Sequence, residues 1–300
     1  MILNGTYERS LSSIITDLAP RDTCFEEKPR SFLQTSFVVQ LLHPRKISTR
    51  EQITTKTDSK MHFVLIGASG RTGQLVVKDA LLKGHTVTAL VRRPDALNAI
   101  SELQNKENNA RVAIVTGSPT SEADLKKAFS TVPDFTKGIT KPDAVIVTLA
   151  HSQASGNPFS APIVPKNFMA DVHSTLLKAM AEAGINKIVT MSAFGSGNTQ
   201  KNLNFMLKAL FKYSGMRDGM EDHGEVEKRI VAQSKTGKLQ YVLVRPPMLT
   251  DGPAAAVKDR GELGDDMGMM DKISRASTAD FLVDAAAEQK WNGRSLVISN

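Results

Sequence analysis

Three glycines in the segment VLIGASGRTGQLVV have the types and spacing that bind phosphate. Gly67 permits a tight turn after an apolar run, Gly70 lets backbone N–H groups approach a pyrophosphate, and Gly73 allows a helix to pack closely on a strand. The N–H groups and dipole of the following helix favour negative charge there, and Ser69 and Thr72 can add hydroxyl donors. The segment therefore predicts a dinucleotide site; the alternative is a tight turn without a ligand.

The end of the second predicted strand indicates which dinucleotide binds. A site selective for NAD carries a carboxylate near this point, which accepts hydrogen bonds from the ribose 2′-hydroxyl. Here the sequence reads ALVRRP, so Arg92 and Arg93 stand in its place. A guanidinium binds a 2′-phosphate bidentately, and Arg71 adds positive charge within the turn. We expect tighter binding of NADPH than of NADH; the alternative is that these arginines are only exposed to solvent.

The elements that must position these residues alternate regularly from residue 61 onward. Apolar, β-branched runs predict parallel strands at 61–67, from residues 85, 111 and 143, and at 187–192, 241–247 and 295–298. Helices are predicted at 72–83, 121–129, 167–183 and 278–288, with a long polar helical region before the sixth strand. This alternation predicts an α/β, Rossmann-type doubly wound parallel sheet with helices on both faces.

The domain boundaries follow from the same change in pattern. Residues 1–60 mix Ser, Thr and charges without periodicity, which predicts an irregular, partly disordered extension. Its apolar piece, 32–42, is expected to pack on the domain, with a partner as the alternative. Residues 61–300 form the predicted dinucleotide-binding domain, with a small substrate-side region within about 195–275.

Composition and charge describe an ordinary globular chain of 300 residues, 41% hydrophobic and 23% charged. The net charge of +7 is scattered among acids, so we expect a mildly basic surface around an anionic ligand and no nucleic-acid partner. The single Cys24 suits a reducing compartment. No apolar run approaches the roughly 20 residues that cross a bilayer, and no secretory leader is evident. We expect a cytoplasmic monomer or homodimer.

Several segments together resemble a known family. GASGRTG, LVRRP, NFMADVHSTLLKAM, TMSAFG and YVLVRPP are similar to the atypical short-chain dehydrogenase/reductases of the NmrA-like and flavin/biliverdin reductase type. The likeness spans roughly residues 61–300. Within that group, MSAFG, NLNFMLK, DHGEVEKRI and LVRPPMLTDG are most similar to the averufin-oxidase-like oxidoreductases of fungal secondary metabolism.

This resemblance implies a role for individual residues of the site. The pyrophosphate would lie on the glycine turn, which comprises Gly67, Ser69, Gly70, Arg71, Thr72 and Gly73. The 2′-phosphate would lie on Arg92. The ribose would lie along the segment after the fourth strand, Thr148, Leu149 and Ala150, and the nicotinamide would lie beside Pro246 and Pro247. The segment GSPTSEAD departs from the family's usual Gly-Asp pattern, which leaves an adenine contact there open.

The proton donor of this family is missing from the chain. Short-chain dehydrogenases pair a Tyr with a Lys four residues later, whose ammonium lowers the pKa of the phenol. In this sequence Gly219 and His223 fall at those places. Tyr213 has Arg217 four residues on, but it lies far along the chain from Ser192, which matches the family's active-site serine.

Ser192 and His223 are therefore the predicted catalytic residues. Ser192 would hydrogen-bond a substrate carbonyl; the alternative is a hydroxyl that ties off the strand end. His223 follows Asp222 at a predicted helix start and would titrate near neutrality, protonating a substrate oxygen. The alternative is a surface or helix-capping histidine.

The function that these features predict is an NADPH-dependent oxidoreductase acting on an aromatic or quinone-like small molecule, as in polyketide metabolism. The alternative is an NmrA-like redox-sensing regulator that binds NADP(H) without turnover and contacts a protein partner. Sugar-nucleotide epimerase chemistry would need the missing tyrosine. No metal site is expected, because the six histidines form no HExxH pair and one cysteine cannot build a zinc cluster. Met267, Met269 and Met270 suit either a flexible apolar mouth or loop packing.

Overall fold

The protein was analysed as a computed structural model, which describes residues 60–135, 138, 140–151 and 159–300. Apart from Lys60, the predicted N-terminal extension lies outside the described residues, and the domain boundaries stay predictions. The strands are β1 (His62–Ile66), β2 (Thr86–Val91), β3 (Val112–Thr116), β4 (Ala144–Val147), β5 (Lys187–Met191), β6 (Gln240–Arg245), β7 (Met248–Thr250), β8 (Lys258–Asp259), β9 (Lys272–Ser274) and β10 (Arg294–Ser299). The helices are α1 (Arg71–Leu82), α2 (Lys106–Asn109), α3 (Glu122–Ser130), α4 (Phe168–Ala183), α5 (Phe205–Tyr213), α6 (Arg217–Ser234) and α7 (Arg275–Ala287).

The main sheet has eight strands in the order β3-β2-β1-β4-β5-β6-β10-β8. All neighbours pair in parallel except β8, which joins the edge antiparallel to β10. The predicted Rossmann-type doubly wound sheet is therefore confirmed. β7 and β9 form a separate parallel pair that the sequence pattern did not predict, because strands of three residues are too short to show alternation.

Strand β1 lies at the point where the order of the sheet reverses. It pairs with β2 on one side and with β4 on the other, so a crevice opens beyond the carboxyl ends of β1 and β4. In open α/β sheets, ligands bind in this crevice. The glycine turn follows β1 directly, and the sequence thus positions its phosphate-binding motif at the switch point.

Two apolar cores, one on each face of the sheet, explain the continuous hydrophobic runs. Phe63 and Leu65 of β1 belong to the core beneath α1 and α7, whereas Val64 and Ile66 belong to the core beneath α3, α4 and α6. Successive side chains of a strand point to opposite faces, so a strand covered on both faces must be apolar throughout. All five residues of β1 are buried.

Helix boundaries agree with the sequence pattern to within a few residues. Ser121 caps α3 as predicted, since its Oγ accepts the N–H of Asp124 at 3.3 Å. The Asp124 carboxylate accepts the N–H of Ser118 at 2.9 Å and does not return to Ser121, so the predicted capping box is only half formed. Among the described residues, no helix is long and apolar enough to span a membrane.

Candidate functional site

The glycine turn has the geometry that its spacing predicts. Gly67 has a φ of +90°, and its carbonyl accepts the N–H of Gly70 at 3.0 Å, which closes a tight turn. Gly70 is the N-cap residue of α1, and no side chain caps that end of the helix. A Cβ at Gly73 would overlap the carbonyl oxygen of Gly67 and lie 2.9 Å from Cα of Ala68. The helix therefore touches the turn, and its first N–H groups face an anion-binding position.

Substitution Gly73→Ala is expected to abolish tight dinucleotide binding. The added methyl collides with backbone atoms that cannot rotate away, so the turn must shift; overpacking of this kind costs about 1–3 kcal/mol of stability. We expect the NADPH dissociation constant to rise at least about tenfold, which corresponds to roughly 1.4 kcal/mol. Fluorescence titration measures it. Gly268→Ala is the matched control, because it lies outside the turn and its Cβ would come no closer than 3.5 Å to Asp271, which is an ordinary contact. Equal affinities for both variants would contradict the assignment.

The segment after β4 lies directly against this turn. Thr148 Oγ1 is within hydrogen-bond distance of the carbonyl oxygens of Gly67, at 3.1 Å, and Ile66, at 3.3 Å. Leu149 is half-buried against the core beneath α3, α4 and α6, and Ala150 is exposed. The structure thus brings the predicted ribose-binding segment beside the predicted pyrophosphate-binding turn.

Positive charge collects in a cavity of about 340 Å³ at the end of β2. Ser69, Arg92, Arg93 and Ala96 line it, so the glycine turn and the predicted 2′-phosphate site share one space. Both arginines are exposed. Arg92 has no carboxylate within 4.0 Å among the described residues, while Arg93 Nε lies 3.9 Å from Asp95. An uncompensated guanidinium in a concave site attracts a phosphate.

Arg71 behaves differently from Arg92. Its guanidinium pairs at 3.3 Å with Asp251, which also accepts a 2.6 Å bond from Arg275. The Arg71–Asp251 pair is largely exposed, with side-chain accessibilities of 72% and 69%, so it contributes little to stability. Arg71 remains a predicted cofactor residue, although in this structure its guanidinium pairs with Asp251, directly after β7.

Ser192 lies at the centre of a buried polar network at the end of β5. Its Oγ donates to Glu227 Oε1 at 2.6 Å, and Ser196 Oγ lies 3.0 Å from the same oxygen. Arg245 binds both carboxylate oxygens of Glu227, at 2.9 and 2.7 Å, and donates to the carbonyl of Glu262 at 2.8 Å. The arginine and glutamate side chains are only 4% and 6% exposed. The Ser192 proton is therefore held by Glu227.

Backbone bonds hold the Ser192 loop beside the predicted nicotinamide border. Ser192 N–H donates to the carbonyl of Val244 at 2.7 Å, and Phe194 N–H donates to that of Pro246 at 2.9 Å. Pro246 is buried. The ends of β5 and β6 thus form one surface, which brings Ser192 and Pro246 together as the resemblance implies.

His223 is not at a helix start, and the expectation that it titrates near neutrality is wrong. It is the seventh residue of α6 and is 9% exposed. Burial lowers its pKa to about 4, helped by the nearby imidazoles of His173 and His151 and opposed by Glu227. The imidazole is therefore neutral at pH 7. Its neighbour Asp222 is fully buried within α6 as well.

Asp222 has a structural role that sequence spacing could not show. Its two carboxylate oxygens accept the N–H groups of Met169 and Ala170, at 2.8 and 2.9 Å. These are the first-turn N–H groups of α4, whose own N-cap residue, Asn167, makes no side-chain cap. A carboxylate here is favoured by the helix dipole. It fixes α6 against α4 and thereby sets the position of the adjacent His223.

Tyr213 and the methionine cluster, which the sequence analysis also considered, lie apart from this site. Tyr213 ends α5 with its side chain 72% exposed, and the Lys212 ammonium lies 5.2 Å from its ring centroid. Met267 packs against Phe194 and neighbouring apolar side chains, whereas Met269 and Met270 are exposed. Neither feature contacts Ser192 in the part of the chain that the structure describes.

Sequence reasoning missed His151, which directly follows Ala150. Its Nε2 is buried and has no hydrogen-bond partner among the residues that the structure describes. A Cβ at Gly219 would lie 3.0 Å from the His151 Cβ, so α6 packs directly on this residue. The signal available in the sequence was position alone: a histidine one residue beyond the predicted ribose segment, at the carboxyl end of a parallel strand.

Comparison with known proteins agrees with this geometry. A family described as NAD(P)H-binding matches residues 67–289. The chain belongs to this NAD(P)H-binding family. The predicted dinucleotide cofactor is thereby confirmed. The residues present fit it, because a Cβ at Gly67 would meet Thr148 and a Cβ at Gly73 would meet the Gly67 carbonyl, so glycine permits the compact turn where the first N–H groups of α1 can hold a pyrophosphate. Among the described residues, no group of three or more His, Cys, Asp or Glu is placed to hold a metal ion.

Relatives of this NAD(P)H-binding protein include reductases. The reductase pytE of Aspergillus terreus is 23% identical over 80% of this chain and 93% of its own. ChuY, an anaerobillin reductase from Escherichia coli, has a TM-score of 0.57 at 19% identity over 79% of this chain and 96% of its own. A wide-type short-chain dehydrogenase/reductase from Veillonella parvula in complex with NADP has a TM-score of 0.58 at 14% identity over 81% and 95%. The two structures show the fold that they share with this chain.

Proposed function

We propose that the protein is an NADPH-dependent oxidoreductase that transfers hydride between the nicotinamide and an aromatic or quinone-like small molecule. The observation that carries the proposal is the cavity shared by Ser69 of the glycine turn and Arg92 at the end of β2. A dinucleotide on the turn would extend its 2′-phosphate into this cavity, where no carboxylate of the described residues pairs with Arg92. The names of the relatives, which are reductases, support the same reaction class.

Each group of residues has a role in this proposal. When bound, NADPH supplies the hydride. The N–H groups at the start of α1 hold the pyrophosphate, and Leu149 and Ala150 lie along the ribose. Pro246 borders the nicotinamide and shields it from water. Ser192 and the neutral His223 line the reaction crevice, where Glu227 fixes the orientation of the serine hydroxyl.

The substrate class rests on the resemblance to averufin-oxidase-like oxidoreductases and on the kinship with a fungal reductase. Its test is NADPH oxidation by the purified full chain, followed at 340 nm with menadione, anthraquinone-2-sulfonate, FMN and biliverdin as acceptors. Turnover of the quinones is the expected result. Tight NADPH binding with no oxidation of any acceptor would overturn the reductase and favour the NmrA-like sensor, for which a protein partner would be sought.

Substitution Arg92→Asp is expected to reverse the preference for NADPH over NADH. A carboxylate at this position repels the 2′-phosphate and can accept hydrogen bonds from a 2′-hydroxyl. Loss of a charge-assisted bidentate contact predicts about a 100-fold rise in the NADPH dissociation constant, or roughly 2.7 kcal/mol, with little change for NADH. Isothermal titration with each nucleotide measures both constants.

Two variants control for the change in charge. Lys238→Asp makes the same change at an exposed position outside the cavity and should leave both affinities unchanged. Arg93→Asp should have a smaller effect than Arg92→Asp, because Arg93 already lies near Asp95. An unaltered NADPH preference in Arg92→Asp would remove Arg92 from the cofactor site.

A further inference from the structure

Three histidines meet where the end of β4 approaches α4 and α6. His151 follows β4, His173 lies on α4 and His223 lies on α6, and the nearby imidazoles of His173 and His151 add to the lowering of the His223 pKa by burial. Ser192 belongs to the same region, since Glu227, its hydrogen-bond acceptor, also acts on His223. The chain thus collects proton-carrying groups beside the predicted nicotinamide position.

All but one of these groups already form hydrogen bonds or are kept neutral by burial. His173 Nδ1 donates to the carbonyl of Met169 at 2.7 Å, and its Nε2 lies 3.4 Å from Thr190 Oγ1, which leaves no free ring nitrogen. The Ser192 hydroxyl donates to a carboxylate. His223 is held neutral by burial, so it is a poor source of protons at pH 7.

His151 differs because its Nε2 is buried and, within the described part of the chain, has no hydrogen-bond partner. An unsatisfied buried polar atom costs about 1–3 kcal/mol, a cost that a bound ligand removes when it brings a hydrogen-bonding atom. The residue stands three positions after Thr148, whose hydroxyl lies 3.1 Å from the Gly67 carbonyl. Three residues span at most about 10 Å, so His151 lies at the switch-point crevice, near the glycine turn.

The packing of α6 agrees with this position. Gly219 occupies the position at which short-chain dehydrogenases carry the catalytic tyrosine. It lies so close to His151 that a Cβ at position 219 would come within 3.0 Å of the histidine Cβ and 3.4 Å of its ring. A larger side chain at position 219 would need the space that His151 occupies. His151 therefore occupies the space into which a side chain at position 219 would project.

We propose that His151 is the proton donor of the reduction, with a substrate carbonyl or quinone oxygen as the acceptor. This inference rests on the proposed oxidoreductase function. His151 passes its Nε2 proton to the substrate oxygen as hydride from NADPH adds to the conjugated system, giving the hydroxyl product and NADP⁺. Solvent then returns one proton to the imidazole. His223, His173, Glu227 and Asp222 are the titratable groups of α4 and α6 around this centre.

The test compares His151→Gln with wild type in NADPH oxidation with anthraquinone-2-sulfonate and menadione. General acid catalysis contributes about 10²–10⁴-fold, so we expect kcat to fall at least 100-fold while KM changes less than about threefold. NADPH affinity, measured by fluorescence without turnover, should be unchanged. His85→Gln, at the amino end of β2, is the control and should retain wild-type kcat.

A second readout separates failure of this inference from failure of the proposed function. The His151 ring C–H signal in NMR, assigned by its absence from His151→Gln, should move when anthraquinone-2-sulfonate is added to the NADP⁺ complex. Turnover at the wild-type kcat in His151→Gln overturns the inference and leaves the reductase intact. Absence of turnover in wild type overturns the reductase; if the His151 signal also stays fixed, no ligand oxygen reaches this residue and the inference fails with it.

Discussion

Acidification from pH 7 to pH 5 is expected to lower the free energy of unfolding by about 5 kcal/mol, a large part of the roughly 5–15 kcal/mol that stabilises a domain. Three buried histidines cause this loss. Burial lowers the pKa of His62, His173 and His223 from 6.5 to about 4. In this pH window the unfolded chain takes up protons that the folded chain does not, so stability is present above pH 6.5 and is lost as the pH falls towards 4.

The magnitude follows from the two pKa values of each group. At pH 5 each histidine costs about 2 kcal/mol relative to pH 7. One carboxyl acts in the opposite direction: burial, with Asp280 nearby, raises the pKa of Asp79 from 3.8 to about 6. The folded state binds that proton first, which offsets the loss by about 1 kcal/mol at pH 5.

Urea unfolding at pH 7, 6 and 5 measures the effect. His62→Gln is the informative variant, because both ring nitrogens of His62 lie near threonine hydroxyls, Thr86 at 3.0 Å and Thr88 at 3.3 Å, which a glutamine amide can also bond. The difference in stability between pH 7 and pH 5 should shrink by about 2 kcal/mol in this variant. Lys238→Gln, on the surface, should leave it unchanged. A stability that does not vary between pH 7 and pH 5 would show that the three imidazoles are not held neutral.

Substitution Arg245→Met is expected to destabilise the protein by about 3–5 kcal/mol at neutral pH. The variant leaves the Glu227 carboxylate buried without its bidentate partner, and the carbonyl of Glu262 loses a donor. For a domain of this size, that loss lowers Tm by roughly 6–20 °C. Thermal unfolding followed by circular dichroism measures it.

A double variant distinguishes loss of the ion pair from loss of packing. Glu227→Leu combined with Arg245→Met removes both charges and fills similar volume, so it should recover most of the stability, as replacement of buried pairs commonly does. Arg294→Met, which breaks the partly exposed 2.9 Å pair with Asp259, should cost less than about 1 kcal/mol. If the double variant were less stable than Arg245→Met, the pair would not be the source of the loss.

The sequence by itself determined the fold class and the dinucleotide cofactor, and it predicted where that cofactor binds. Strand β1, the glycine turn and α1 follow one another within 62–82, and Arg92 ends the next strand. These features depend on local rules: strand burial on both faces shows as an apolar run, a turn with positive φ calls for Gly67, and close helix contact calls for Gly73. Parallel strands place their carboxyl ends at one edge, so the spatial meeting of Ser69 and Arg92 follows from the order of elements.

Only the tertiary structure decided the state of the predicted catalytic groups. The Ser192 hydroxyl is bound by Glu227, 35 positions later, and that carboxylate is bound in turn by Arg245. The pKa of His223 depends on burial and on imidazoles from two other elements. No local pattern encodes desolvation or pairing across such separations, because both depend on how α4, α6 and the strand ends pack. For the same reason the unpartnered Nε2 of His151 became visible only in the folded chain.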